Sequence, residues 1–282
     1  MVVYEFDPWG SEWCTCGRKY SLNPYTGCAH ACTYCYITSY IPRGFQARLK
    51  RGLVKRLRRQ LPKLDPGVPV TISNSSDPYQ PLERRHRQTL ACLRVLRDFR
   101  VMIVTKGALV QRDAGVLANM RAGVAVTITT LDELTAGRLE PGAPAPEERL
   151  RALQVLAERG VPTICRIDPV IPGINDDFRE LVRELACAGV RHVTSSTFKP
   201  RPDSWRRVAA AFPEHRERLR ELYFTRGTRV QNSRYLPEEV RRRLMLELRR
   251  ECLRRGITFG ACRERLGIPM PSCDGMHLIP AA

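Results

Sequence analysis

The sequence has no run of about 18 apolar residues, so no segment is expected to cross a membrane as a helix. Its first residues, "MVVYEFDPWGSEW", lack the basic start and the apolar stretch of a secretory signal, and a cytoplasmic location is expected. Neither an internal repeat nor a low-complexity segment is visible. The clearest proline-rich punctuation, "LEPGAPAPEER" (139–149), is too short to link domains. Acidic residues are in short supply: 29 Asp and Glu stand against 47 Lys and Arg, a formal charge of +18. That imbalance says nothing about fold, but it bears on partners. The excess is mostly arginine, which suits bidentate phosphate contact, so a polyanion such as DNA, RNA or an anionic membrane face is expected. The plain alternative is solubility alone.

What the chain does have is 282 residues, 43% of them hydrophobic, enough to bury a large core in one large domain or two small ones. It also has eleven cysteines, an odd number. A disulfide framework does not suit a reducing compartment, where clustered thiols more often bind metal. Cys92, Cys187 and Cys252 fall in helical apolar patterns and are expected in the core.

Short runs rich in Val, Ile and Thr alternate with helical patterns. "VPVTISNSSD" (68–77), "RVMIVTK" (100–106), "VAVTITT" (124–130), "VPTICRIDPVIPG" (161–173) and "RHVTSSTF" (191–198) read as strands, with one more around "RKYSLN". Alternation of this kind implies βαβ units and a parallel sheet. About six strands are too few for an eight-stranded barrel, so the expected class is α/β, a partial (β/α)6 TIM-like barrel with a helical C-terminal region. The expected division is 1–19 as an N-terminal extension, 20–200 as the barrel and 201–282 as the helical region. Polar residues gather where the strands end, the side on which such barrels place their chemistry. "GFQARLKRGLVKRLRRQL" (44–61) reads as one helix with Phe45, Leu49, Val54, Leu57 and Leu61 on one face and seven basic residues between Arg48 and Arg59. "PEEVRRRLMLELRRECLRR" is a second Arg-rich amphipathic helix. Either basic face is a candidate for phosphate contact or a solvated surface.

The densest thiol group is "GCAHACTYCYI" (27–37), with Cys28, Cys32 and Cys35 within eight positions. Zinc sites built on four thiolates usually use two C-x2-C pairs, and no fourth cysteine lies nearby in sequence. A cubane [4Fe–4S] cluster normally carries one thiolate per iron, so three cysteines would leave one iron open to a small molecule. C-x3-C-x2-C followed by an aromatic resembles the signature of the radical SAM enzymes. "NPYTGCAHACTYCY", "SSDPYQPLE", "VTK", "TITTLDE", "LEPGAPAPEERL" and "RIDPVIPGIND" together resemble the spore photoproduct lyase-like branch, over roughly residues 20–200. That resemblance implies a [4Fe–4S] cluster whose open iron chelates S-adenosylmethionine. It also implies one-electron cleavage of the sulfonium, by an electron from a donor such as ferredoxin or flavodoxin, and a 5′-deoxyadenosyl radical that abstracts hydrogen from substrate. The protein's share is orientation and exclusion of side reactions.

By family position, Ser76 and Lys106 resemble contacts to the methionyl part of S-adenosylmethionine, with Lys106 facing the carboxylate. Thr127 or Thr129 would reach the amino group or ribose, Arg166 the carboxylate or ribose, and Ser195 and Ser196 the adenine or the substrate, unless they only shape a turn. Tyr34 would cover the cluster near the adenine. Asp77 is an active-site acid or only the cap of the following helix. In spore photoproduct lyases a cysteine three residues before that Asp returns hydrogen to the product radical; here the position is Asn74, a poor hydrogen donor. Tyr36, Tyr79 or Cys165 would have to serve instead, or the substrate differs. A second thiol set, Cys14 and Cys16 with Cys262 and Cys273, would suffice for a second iron–sulfur cluster or zinc if the termini meet, with His277 an alternative ligand. The expected activity is a lyase or modifying enzyme acting on nucleic acid, DNA favoured, in the manner of lesion repair. The alternatives are the same chemistry on tRNA or a peptide, and a non-catalytic metal-stabilised nucleic-acid-binding module. Lys106 and Arg166 at adjacent strand ends weigh against the last, since binding alone needs no cations inside a barrel mouth.

Overall fold

The computed structural model describes residues 1–6 and 13–281. Eight strands form a single sheet in chain order: β1 (Val3–Glu5), β2 (Tyr20–Leu22), β3 (Val70–Ile72), β4 (Val101–Thr105), β5 (Ala122–Thr127), β6 (Thr163–Val170), β7 (His192–Thr197) and β8 (Thr258–Ala261). β1 runs antiparallel to β2, and every later neighbour is parallel. Sequential order with parallel pairing forces a crossover between successive strands, which the helices supply. The six expected strands are β2 to β7. The sheet gains one strand at each edge, β1 from the N-terminal segment and β8 from the far end of the chain. Both are three or four residues long, too short to show a period.

Both sheet faces are covered, so the strands bury nearly every side chain; all six residues of β5 are buried. Val101 and Ile103 of β4 belong to the main core beneath the helices, while Met102 and Val104 alternate onto the concave face. There Met102, Ala125 and Ile164 meet Ile279, which the last 3₁₀ turn (Met276–Leu278) carries into the sheet's hollow. Arg100 holds this tail by donating to the carbonyls of Met276 and Ile279. Gly123 makes the fit possible, because a Cβ there would stand 2.9 Å from Ile279 Cδ1. Each apolar side chain so buried contributes about 1.5–3 kcal/mol.

The main helices are α1 (Leu53–Gln60), α2 (Gln88–Val95), α3 (Pro146–Glu158), α4 (Arg179–Cys187), α5 (Pro202–Ala211) and α6 (Glu238–Leu253). α1 is shorter than its pattern predicts. Gly52 takes φ +66° and starts the helix there, while Arg48–Leu49 pairs with Tyr25–Thr26 as a small ribbon. The buried face is therefore Leu53 and Leu57, with Val54 and Leu61 beside it, and Leu49 is exposed. Lys55, Arg56, Arg58 and Arg59 do face solvent. Between α5 and α6 a two-stranded hairpin (Thr228–Val230 with Ser233–Tyr235) interrupts what reads as helix. Cys92 and Cys252 are buried as expected, but Cys187, the last residue of α4, is exposed. No helix among the described residues is long and apolar enough to cross a membrane.

Candidate active site

The ends of β2 to β7 and the loops after them surround a cavity of about 530 Å³. Cys28, Cys32 and Cys35 all line it. Their loop is short and lacks regular structure, so its backbone must be satisfied from outside. Cys28 N donates to Gly44 O at 2.8 Å, Thr33 N to Leu139 O at 2.8 Å and Gly142 N to His30 O at 3.0 Å. Gln80, fully buried, accepts from Ala29 N at 3.0 Å and donates to Gly27 O at 3.2 Å. Arg207 of α5 donates to the carbonyls of Thr33 and Cys35. Gly142 lies so close that a Cβ would fall 2.3 Å from Ala29 O.

The three thiols fit a multinuclear cluster rather than a single ion. Among the described residues, one group of three ligand-type side chains brings its donor atoms within 4.8 Å of one another, and it is not this triad. Wider spacing is what separate corners of a cubane require, since each sulfur then bonds a different iron.

Tyr34, inside this loop between Cys32 and Cys35, forms part of the wall. Its hydroxyl donates to Glu140, which also accepts from Arg149 and, at 3.3 Å, from Thr129 Oγ1. Glu140 and Arg149 have side-chain exposures of 0% and 1%, so the pair is fully desolvated. Burial alone would raise the Glu140 carboxyl, but Arg149 and Lys106 hold it below the ordinary range. Burial, reinforced by Glu140, pushes the Tyr34 phenol well above its ordinary value.

Lys106, at the end of β4, places its ammonium 5.4 Å from the Tyr34 ring centroid. Burial disfavours that charge, yet Cys32, Glu140 and Asp77 together keep it above the usual lysine value. Its backbone N–H donates to Asp77 Oδ2 at 2.7 Å. Asp77 also accepts from Thr105 Oγ1 at 2.6 Å and Tyr79 N at 2.8 Å, so it both caps the turn and ties β3 to β4. His30 Nδ1 stands 3.3 Å from Asp77 Oδ2, an ion-pair contact without hydrogen-bond alignment. Burial works against both charges; their mutual attraction holds Asp77 low and lifts His30 to about 10.

Ser76 lines the cavity, 3.3 Å from Ser73 Oγ, and Thr127 lines it too. Arg166 reaches the lining from β6 and donates to Asp168 Oδ2 at 2.5 Å. Thr129 and Ser195 are not among the lining residues. Thr129 buttresses Glu140, and Ser195 donates to Ile167 O at 2.7 Å within the sheet. Ser196 is the neighbour that faces in, donating to Asp168 Oδ1 at 2.8 Å. Tyr36 lines the cavity, with its hydroxyl 3.2 Å from Asn74 O. Tyr79 is turned away, donating to Asp113 at 3.0 Å, and Cys165 is buried in β6 outside the lining. Asn74 Nδ2 is held by Ser21 Oγ at 2.7 Å. Sequence reasoning missed Gln80, Glu140, Arg149 and Arg207. Glu140 and Arg149 lie in "LEPGAPAPEERL" and Gln80 in "SSDPYQPLE", but nothing local shows what they touch.

A mostly parallel, open α/β barrel with a three-cysteine loop at its strand ends defines a cluster-bearing enzyme scaffold. Residues 22–185 match the radical SAM superfamily, and the chain belongs to it; its cofactors are accordingly a [4Fe–4S] cluster and S-adenosylmethionine. An uncharacterised protein of Mycobacterium tuberculosis is 28% identical over 251 residues, covering 80% of this chain and 71% of its own. A protein of Pseudomonas phage M6 named as a radical SAM Nα-GlyT isomerase is 24% identical over 265 residues, 87% of this chain and 54% of its own. Among solved structures, spore photoproduct lyase complexed with dinucleoside spore photoproduct superposes with a TM-score of 0.67 at 19% identity, covering 85% of this chain and 75% of that one. At that identity the likeness speaks for the fold.

Proposed function

We propose that this radical SAM enzyme acts on nucleic acid, DNA in preference to RNA, as a lyase or base-modifying enzyme. Cys28, Cys32 and Cys35 hold the cluster, and Lys106 receives the carboxylate of S-adenosylmethionine. When bound, the two groups supply reductive cleavage of the sulfonium to a 5′-deoxyadenosyl radical, with the electron drawn from a small donor protein such as ferredoxin or flavodoxin. The chain's own residues then confine and orient. Tyr34, fixed by Glu140, walls the cavity beside Lys106. Arg166, Asp168 and Ser196 form a polar rim at the ends of β6 and β7 that suits the ribose or adenine. The observation that carries the reading is the cavity itself, in which the thiol triad and Lys106 share one space, in a chain of charge +18.

Spore photoproduct lyase, solved with a dinucleoside spore photoproduct, lends support to the nucleic-acid substrate, and the phage isomerase to the radical SAM chemistry. The departure at Asn74 argues for a substrate different from that of the lyase. Tyr36 lines the cavity whereas Tyr79 and Cys165 do not, which supports assigning to Tyr36 the return of hydrogen to a product radical. A base inside a duplex cannot reach a barrel mouth, so the target is flipped out or single-stranded.

Anaerobically reconstituted protein with dithionite is expected to convert S-adenosylmethionine into 5′-deoxyadenosine. It is also expected to bind DNA with an affinity that falls steeply with salt. A flat salt response, or selective binding of a peptide or of tRNA over DNA, would overturn the substrate assignment and leave the chemistry standing.

A further inference from the structure

Three other thiols, Cys16, Cys262 and Cys273, come together on the cavity wall from the two ends of the chain, with Cys14 beside Cys16. Cys14 and Cys16 precede β2, Cys262 follows β8, and Cys273 lies in the last loop. Cys16 Sγ and Cys273 Sγ stand 3.4 Å apart although 257 residues separate them in sequence, and both are free thiols. An Asp274 carboxylate oxygen completes a group of three donors all within 4.8 Å of one another. Cys14 is hydrogen-bonded to Cys16 and within electrostatic reach of Cys262. Cys16, Cys262 and Cys273 all line the cavity. Lys19, its side chain only 7% exposed, places Nζ 2.8 Å from Asp274 Oδ2 and 3.3 Å from Cys16 Sγ.

Gathering these groups costs chain entropy at both termini and desolvates polar atoms, and a thiol–thiol hydrogen bond returns little of that. A thiophilic cation returns much more. Four sulfurs bound about 2.3 Å from one tetrahedral ion lie about 3.8 Å from each other, near the Cys16–Cys273 separation. Sulfurs on different irons of a cubane lie farther apart than this pair, and Cys14 and Cys262, outside the tight Cys16–Cys273–Asp274 group, close in when the ion binds.

We propose that Cys16 and Cys273, completed from Cys14, Cys262 and Asp274, bind one zinc-type divalent cation in sulfur-rich tetrahedral coordination. The site is structural and closed: it fastens the N-terminal segment to the C-terminal loop along the cavity wall. Binding releases the thiol protons, and Lys19 offsets the negative charge that the thiolates leave. His277 takes no part. Its Nδ1 lies 2.7 Å from Ser272 Oγ and its Nε2 3.3 Å from Thr258 Oγ1.

The test is elemental analysis of the anaerobically reconstituted full chain beside its Cys16→Ser/Cys273→Ser variant. About one zinc with about four irons is expected in the wild type, and the variant is expected to lose the zinc and keep the irons. About eight irons falling to about four would overturn the proposal in favour of a second cluster. Wild type without zinc, or zinc unchanged in the variant, would overturn it outright. Should the variant not fold, zinc-edge X-ray absorption on the wild type decides. A sulfur-dominated shell at about 2.3 Å supports the site, and a nitrogen- or oxygen-dominated shell refutes it. Because zinc and iron are counted separately, this result stands apart from the radical chemistry.

Discussion

Glu140→Gln is the most informative single change. The carboxylate is fully buried against Arg149, accepts from Tyr34 and Thr129, and lies within the field of Lys106. Glutamine keeps the volume but removes the charge; its amide oxygen can still accept from Arg149 while its NH₂ faces the Tyr34 and Thr129 hydroxyls, so the change isolates the charge. Arg149 then remains buried at 1% exposure without a counter-charge. Breaking a buried pair from one side costs about 3–5 kcal/mol, because the surviving ion is left uncompensated. For a chain of this size each kcal/mol moves the thermal midpoint by about 2–4 °C, so a drop on the order of 10 °C is expected. Urea unfolding of reconstituted protein, followed by far-UV circular dichroism, measures the loss directly. The companion Glu140→Gln/Arg149→Met, which removes the stranded cation, should recover at least half of it. A single-variant loss below about 1 kcal/mol, the range of an exposed ion pair, would refute the claim that this pair is desolvated and braces the Tyr34 wall.

Other consequences follow from the same geometry. Lys106→Met should raise the Kd for S-adenosylmethionine at least tenfold, about 1.4 kcal/mol, while iron content is unchanged, as read by equilibrium dialysis; unaltered affinity would remove Lys106 from the carboxylate. Gly142→Ala puts a methyl 2.3 Å from Ala29 O and should displace the cysteine loop, so that less than about half the wild-type iron is retained on reconstitution. Gly137→Ala is the matched control. It lies within the short helix Glu133–Leu139 with nothing within 4 Å of the added Cβ, and should leave iron intact while stabilising the protein by about 0.5–1 kcal/mol in urea titration. Replacing Cys28, Cys32 and Cys35 together by alanine should abolish both the brown colour and 5′-deoxyadenosine formation; retained activity would sink the assignment of the triad.

The sequence by itself determined what depends on near neighbours. Five strands were legible because a buried parallel strand is a run of Val, Ile and Thr bounded by breakers, whatever it later pairs with; β2, Tyr-Ser-Leu, carries no such run. The proposed cluster ligands Cys28, Cys32 and Cys35 stand out in the sequence because all three fall on one loop, within motifs that resemble those of a known family. Lys106 was visible as a cation ending an apolar run, whereas Arg166, expected at a neighbouring strand end, lies inside β6 with β5 between it and β4. Local pattern failed at residue 52, where a glycine in left-handed conformation set the start of α1 against the continuing amphipathic period. Alternation could not separate Ser195 from Ser196, because a shift of one residue exchanges the two faces of a strand. Tertiary structure alone decided the rest. Glu140 lies 106 residues from the Tyr34 that it accepts from, and Cys16 lies 257 residues from Cys273. The edge strands β1 and β8, too, owe their state to the sheet they join rather than to any preference of three or four residues. Contacts of such separation arise only when the sheet has closed, since the burial that makes them favourable does not exist along the chain.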